Sequence, residues 1–299
     1  MNWLLITLIA YLLNAIAIVI DKTLLKKEIK NPFAYAFYIG TLGMIVAFLL
    51  IILFGVDWPG LSQFGIALLT GATFAVGLFL MFFGLKKEDT SRLTPMIGGL
   101  VPIFVFGLAY YFLKEQLSGG EVFAFIVIII GTFFISLDFG RNRKIRKALL
   151  LAIPAALFFA ASAVLTKDVY NHQSFFSGLF WISLGTFLLV LIPIFWPKNR
   201  RDIIHGDEDS QKGKIKFRFL FGQTCGGLSN LLVKYAISLT SVTLVQALQG
   251  VQYVFIFIMV LVLAKYFPKI LKEEMKGFVL VQKIVSILFI GAGIYLLAI

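Results

Sequence analysis

Ten long apolar segments constrain this chain more than any other feature of its sequence. They cover residues 3–20, 33–54, 61–84, 93–113, 122–137, 149–166, 175–195, 217–238, 242–264 and 279–299. Most of them approach the ~20 residues that an α-helix needs to cross ~30 Å of hydrocarbon. Only 14% of the 299 residues are charged, against about 25% in an average soluble domain. The sequence therefore predicts an all-α membrane protein with ten transmembrane helices, numbered segments 1 to 10 in chain order, and a lipid bilayer as its partner.

Basic residues are concentrated on one side of the predicted membrane protein. The loops that follow segments 1, 3, 5, 7 and 9, with their flanks, hold 24 of the 27 lysines and arginines. Such asymmetry marks the cytoplasmic side of a membrane protein. It also explains the net charge of +12 without a nucleic-acid partner. We expect a multi-pass protein of the plasma (inner) membrane, with its basic loops in the cytoplasm and both termini outside.

The two halves of the chain look like copies of each other. Four short patterns recur in the same order at a spacing of 142 to 160 residues. The pairs are Ala15-x-x-x-Val19-x-x-Lys22 with Ala160-x-x-x-Val164-x-x-Lys167, Phe33…Leu42-Gly43 with Phe175…Leu184-Gly185, Gly71-x-Thr73 with Gly222-x-Thr224, and Ile130-Gly131 with Ile290-Gly291. Because five helices per half is an odd number, the second copy must insert upside down. The pattern predicts two inverted five-helix repeats, residues 1–140 and 141–299, as in alternating-access transporters.

Three sequence motifs resemble those of the drug/metabolite transporter superfamily, specifically its EamA-type members. They are LTPMIGGLVPIF at 93–104, LKEQL at 113–117 and YAISLTSVTLVQAL at 235–248. The resemblance implies a ten-helix bundle in which segments 5 and 10 are peripheral and the others line the path. This sequence departs from the family in two respects: Tyr253 stands where a family proline lies opposite Pro102, and the charge count places the termini outside rather than in the cytoplasm.

Segments 4, 8 and 9 carry the features that we expect to matter for function. Pro95, Gly98 and Pro102 predict bending or close helix approach in segment 4. Segments 8 and 9 form a hairpin around the turn 239–241, and their polar residues would be costly in contact with lipid. Those residues are Asn230, Lys234, Gln246, Gln249, Gln252 and Tyr253.

Two interpretations of the hairpin are open for each kind of polar group. Lys234 either extends to the outer interface or lines a cavity as a cation that binds an anionic or carboxylate-bearing solute. Gln246, Gln249 and Tyr253 share one helical face, with Gln252 beside them. These amides either bond neighbouring helices or line a cavity, and we favour the cavity.

Further candidate substrate-binding residues lie outside the hairpin. They are Asn14, Tyr38, Thr73, Thr94 and Trp181, the last of which could stack against an organic solute. No acidic residue lies in the middle of an apolar segment, which argues against proton antiport through a carboxylate and favours uniport or exchange. His205, Asp207, Glu208 and Asp209 are expected to be solvated charges of the polar loop 197–216 rather than a metal site.

The sequence therefore predicts a transporter of small organic metabolites, such as amino acids or related compounds, that exports or exchanges them by alternating access. It is expected to act as a monomer or homodimer, with no cofactor or metal. A nucleotide-sugar or lipid-linked sugar transporter of the same fold is the first alternative. A membrane-embedded enzyme or scaffold is the second, but no nucleophile–base pair or metal-ligand spacing supports an enzyme.

Overall fold

A computed structural model of the chain describes residues 2–25, 31–87, 90–136, 145–205, 213–263 and 278–298. These residues are almost entirely helical, and no strand occurs among them. The α-helices are α1 (Asn2–Leu25), α2 (Pro32–Phe54), α3 (Leu61–Lys87), α4 (Thr90–Leu108), α5 (Gly119–Ser136), α6 (Ile145–His172), α7 (Phe175–Leu191), α8 (Pro197–His205), α9 (Gly213–Leu239), α10 (Val242–Ala247), α11 (Gln249–Leu263) and α12 (Phe278–Ala298). The prediction of an all-α protein is confirmed for the described residues.

Eight stretches in the described part of the chain are long and apolar enough to cross a membrane. They are Asn2–Ile20, Pro32–Phe54, Leu61–Leu85, Leu93–Leu113, Leu149–His172, Phe175–Phe195, Val242–Val262 and Leu280–Ala298. Gly119–Ile135 is apolar but shorter. Segment 8 lies in α9, which is not among the eight because Gln223, Asn230 and Lys234 interrupt its apolar run. The chain is thus a multi-pass membrane protein.

One helix lies where the sequence predicted only a polar loop. Pro197 begins α8, at the first helical position, where its missing N–H costs nothing and its fixed φ suits a helix. Asn31, ahead of α2, donates hydrogen bonds to Asn199 and Asp202 of α8. Asp207, Glu208 and Asp209 lie outside the described residues, and no metal-binding group of acidic, histidine or cysteine residues occurs in the part that is described.

Segment 9 is two helices rather than one. Ser241 caps α10, since its side chain accepts a hydrogen bond from the backbone N–H of Leu244. At Leu248 the backbone has ψ −6°, far from the −42° typical of an α-helix, and α11 begins with the next residue. By contrast, α4 continues through Pro95 and Pro102 and ends in a π-helical turn, Ala109–Leu113. The interruption therefore falls in segment 9, which contains no proline, and not at the prolines of segment 4.

Most of the packing lies within two groups of helices. α6 packs against α3 and α4, and α1 packs against α9 and α11. We call these sets the α3–α4–α6 group and the α1–α9–α11 group. α7 packs against both α3 and α2, and α5 pairs with α12. Small residues allow the close approaches: a Cβ added at Gly71 of α3 would lie 2.1 Å from the carbonyl oxygen of Ile182 on α7. Contacts between the two groups are fewer than those within them, and the space between the groups is where polar side chains converge.

Candidate substrate site between the two helix groups

One face of α9 looks across the space toward α2 and α3. Gln223, Gly227, Asn230 and Lys234 follow each other at intervals of three and four, which places them on one helical face. Gln223 donates a hydrogen bond to the hydroxyl of Tyr35 on α2, at 2.7 Å. A Cβ added at Gly227 would meet nothing within 4 Å. The face therefore combines polar groups with open space.

The side chain of Lys234 reaches the middle of α3. Its Nζ lies 5.8 Å from the centroid of the Phe74 ring, and Phe74 is near the middle of α3, which runs from Leu61 to Lys87. Phe74 in turn packs edge-on against Phe159 of α6, at 5.7 Å between centroids. An ammonium over an aromatic ring is attracted to the electron-rich face of that ring. In this arrangement the lysine points to the protein interior and not to the interface.

The glutamines of α11 point in different directions around one helix. Gln252 is buried, and its Oε1 accepts a hydrogen bond of 2.6 Å from Nδ2 of Asn14 on α1. The hydroxyl of Tyr253 donates to the backbone carbonyl of Thr94 on α4, at 3.0 Å. With 100° between consecutive helical residues, Gln249 lies between these two directions and so faces the gap between α1 and α4. Its Oε1 is buried, and no described residue forms a hydrogen bond with it.

A second residue of α1 supports the interrupted helix. The hydroxyl of Tyr11 donates to the carbonyl of Val245, at 3.1 Å, just before the break at Leu248. Tyr11 is buried, three positions before Asn14 and on the same face of α1. Sequence reasoning missed Tyr11, although its i, i+3 relation to Asn14 within an apolar segment was a usable signal. It also missed Tyr35, Phe74 and Phe159, which are ordinary aromatic residues until the helices are packed.

The remaining predicted site residues have varied surroundings. Half-buried Gln246 lies on α10, two residues before Leu248, and half-buried Asn230 lies one turn before Lys234. Neither has a hydrogen-bond partner among the described residues. The hydroxyl of Thr73 bonds to carbonyls of its own helix, and Thr94 contributes its carbonyl. The hydroxyl of Tyr38 donates to the carbonyl of Ile203 on α8, and the indole of Trp181 donates to the carbonyl of Asp57. The structure thus directs Tyr38 and Trp181 to loop and helix-end partners.

The end of the site next to the hairpin turn is closed by charged groups. The carboxylate of Glu115 accepts a hydrogen bond of 2.6 Å from Ser241 Oγ and two of 3.3 Å from the backbone N–H groups of Val242 and Thr243. A carboxylate there also suits the positive end of the helix dipole of α10. Beside it, Lys167 of α6 donates to the carbonyl of Ile237 on α9, at 3.1 Å. The Lys167 contact joins the two helix groups at this end, and the Glu115 contacts hold the start of α10 beside it.

Helices that span a membrane around a polar interior are the architecture of a membrane transporter. The model of the EamA-like transporter family matches residues 1–137 and again residues 146–299, and the chain belongs to this family. It is 29% identical over 126 residues to YxxF, an uncharacterized transporter of Bacillus subtilis (strain 168). That match spans 40% of each of the two chains. A solved crystal structure superposes with a TM-score of 0.67 at 17% identity, over 96% of this chain and 97% of the other, which demonstrates a shared fold.

Proposed function

We propose that the chain transports small organic metabolites, such as amino acids or related compounds, through the space between the two helix groups. The observation that carries this proposal is the side chain of Gln249. It lies in the gap between α1 and α4 with a buried oxygen that no group in the described part of the protein satisfies. A polar atom left unpaired within a membrane protein is costly, and a solute in the space between the helix groups would supply the missing hydrogen bond. Asn230, Lys234 and Gln246 add further polar groups to the same space.

The proposal includes an inverted repeat of two five-helix units, residues 1–140 and 141–299, although their boundary lies outside the described residues. With α5 and α9, the eight apolar stretches make ten membrane-spanning segments. Two separate matches of one family model, one in each half, support the repeat. So does the packing: α1 with α9 mirrors α6 with α3, and α1 with α11 mirrors α6 with α4. An inverted repeat of this kind allows the two halves to exchange conformations around a central site.

We propose that this arrangement serves export or exchange by alternating access. The contacts of Glu115 with α10 and of Lys167 with α9 would form and break at one end of the space. Those contacts lie at the outer end if the basic loops are cytoplasmic and both termini are outside, as the lysine and arginine distribution favours. The plasma membrane is the membrane in which we expect the protein to act.

The test is a thermal-shift screen of the purified protein against metabolite pools, followed by flux of the stabilising compounds into proteoliposomes. We expect Gln249→Ala to lower both the shift and the flux for a confirmed solute. Gln63→Ala is the matched control, because Gln63 also has a buried, unpaired Oε1 but lies near the start of α3. Equal transport by wild type and Gln249→Ala would contradict the assigned site, and a protein that moves no solute in the screen would contradict the function.

A further inference from the structure

Lys234 carries a charge for which the described part of the protein supplies no counter-charge. The acidic side chains whose surroundings the structure describes are all engaged at helix ends or in connections. Asp57 contacts Ser177, Glu115 contacts the start of α10, Glu121 contacts Ser118, Asp168 contacts His172, and Asp202 contacts Asn31. None of them pairs with Lys234, whose recorded contact is the ring of Phe74. An unpaired ammonium in a membrane protein interior calls for an anion.

The second half of the hairpin supplies a neutral acceptor at a similar depth. Lys234 precedes the end of α9 by five residues, and Gln249 follows Ser241 by eight. At ~1.5 Å per residue their Cα atoms lie roughly 7 and 12 Å from the same turn. The lysine side chain extends inward, which brings its ammonium toward the level of Gln249. The free Oε1 of Gln249 accepts a hydrogen bond and therefore selects an N–H or O–H donor.

The side chains of Lys234 and Gln249 differ in the solute charge that they can neutralise. The ammonium of Lys234 complements a carboxylate, and the amide oxygen of Gln249 complements a donor without neutralising a charge. A zwitterion such as a free amino acid would bring a second ammonium next to Lys234, with no described carboxylate to receive it. A monoanion with a neutral donor would leave the occupied site without net charge. Phe74 and Phe159 offer apolar surface for the rest of such a solute.

We propose that the site prefers organic monoanions that combine a carboxylate with a neutral N–H or O–H donor, such as N-acylated amino acids or hydroxy acids, over the corresponding zwitterions. The carboxylate binds Lys234, and the donor binds Gln249. This inference rests on the proposed transport function and narrows its substrate class.

The test compares three compounds on one skeleton that differ in net charge. They are N-acetylphenylalanine, phenylalanine and phenylalaninamide, with the same series on alanine to vary the size of the side chain. Binding is measured by thermal shift and transport by proteoliposome flux. We expect the N-acetylated acid of at least one skeleton to bind and move best and the cationic amide worst. Lys234→Gln should weaken the N-acetylated acid about tenfold or more, as for loss of a hydrogen bond to a charged group, and change the amide little.

Lys283→Gln is the matched control, because Lys283 also lies over a phenylalanine, Phe257 at 4.8 Å, but belongs to the peripheral helix α12. It should leave the ranking unchanged. Lys234→Arg keeps the positive charge and should therefore keep the ranking of the compounds. This variant tests the inference even if Lys234→Gln does not fold. A wild-type protein that favours the zwitterion, or binds none of the six compounds while transporting other solutes, overturns the inference and leaves the function standing. A protein that transports nothing in the broader screen overturns both.

Discussion

The hydroxyl of Tyr253 donates a hydrogen bond to the carbonyl of Thr94, at 3.0 Å, and so links α11 to α4 across the space between the helix groups. Gly98 makes the contact possible, since a Cβ added there would lie 1.8 Å from the tyrosine oxygen. From the family resemblance, position 253 was notable because Tyr253 stands where the family has a proline. The structure gives the tyrosine a role of its own, as a polar link between the two groups.

Replacing Gly98 with alanine should displace Tyr253 and break this link. The overlap is with the phenol oxygen and ring, so α4 and α11 would have to separate. We expect Gly98→Ala to lower the apparent melting temperature and the flux. Gly99→Ala is the neighbouring control, because a Cβ there meets nothing within 4 Å. If Gly98→Ala were as stable as Gly99→Ala, the close approach would be wrong. In a Tyr253→Ala background, Gly98→Ala should lower the apparent melting temperature less than it does in the wild type, because the effects of substitutions at contacting residues are not additive.

Loss of the Glu115 charge should destabilise the end of the site at the hairpin turn. Glu115→Gln keeps the size of the side chain but weakens three hydrogen bonds to the start of α10. We expect a loss of about 1–3 kcal/mol, the range for hydrogen bonds to a charged group, measured by unfolding in detergent. Glu121→Gln provides the comparison: Glu121 bonds Ser118 on the exposed surface and should cost less. If Glu121→Gln destabilised the protein more than Glu115→Gln, Glu115 would not cap α10.

Asn14 and Gln252 should be energetically coupled. Their amides share a hydrogen bond of 2.6 Å between α1 and α11. A double-mutant cycle with Asn14→Ala and Gln252→Ala should give a coupling near 0.6 kcal/mol and below about 1.7 kcal/mol, the range found for polar contacts between membrane helices. The control cycle pairs Asn14→Ala with Gln63→Ala, for which the effects should add. Additivity in the first cycle as well would mean that the bond does not contribute to stability.

Much of the fold follows from the sequence because long apolar segments in a bilayer have few alternatives to a helix. Segment 9 is an instructive exception. Its composition does not reveal the break at Leu248, beside which the hydroxyl of Tyr11 on α1 bonds to the carbonyl of Val245. The two prolines of segment 4 predicted bending or close helix approach there, yet α4 continues through both of them. The short helix α8 was also missed, since nine mostly polar residues gain their order from contacts with Asn31 and Tyr38.

The candidate site was predictable to the extent that it is polar. Asn14, Lys234, Gln249 and Gln252 stand out in an apolar segment because each would be costly in lipid. Their partners did not stand out: Phe74 is one phenylalanine among 32, and its contact with Lys234 is visible only once α3 and α9 are placed. Tyr38 and Trp181 were plausible from chemistry alone, but helix rotation directs their polar atoms to Ile203 and Asp57. The rotation of each helix about its axis and the partners of its polar side chains are set by tertiary packing, which the sequence pattern does not reveal.

We propose that Gln249 faces a path open to water and solute, and its accessibility can be measured directly. The chain has a single cysteine, Cys225, so a Cys225→Ser background allows one thiol to be placed at will. In that background we expect Gln249→Cys to react with a water-soluble thiol reagent and a transported solute to slow the reaction. Leu288→Cys, on the exposed apolar face of α12, should not react, since thiols in lipid do not ionise. An unreactive Gln249→Cys in a protein that still transports would contradict the account.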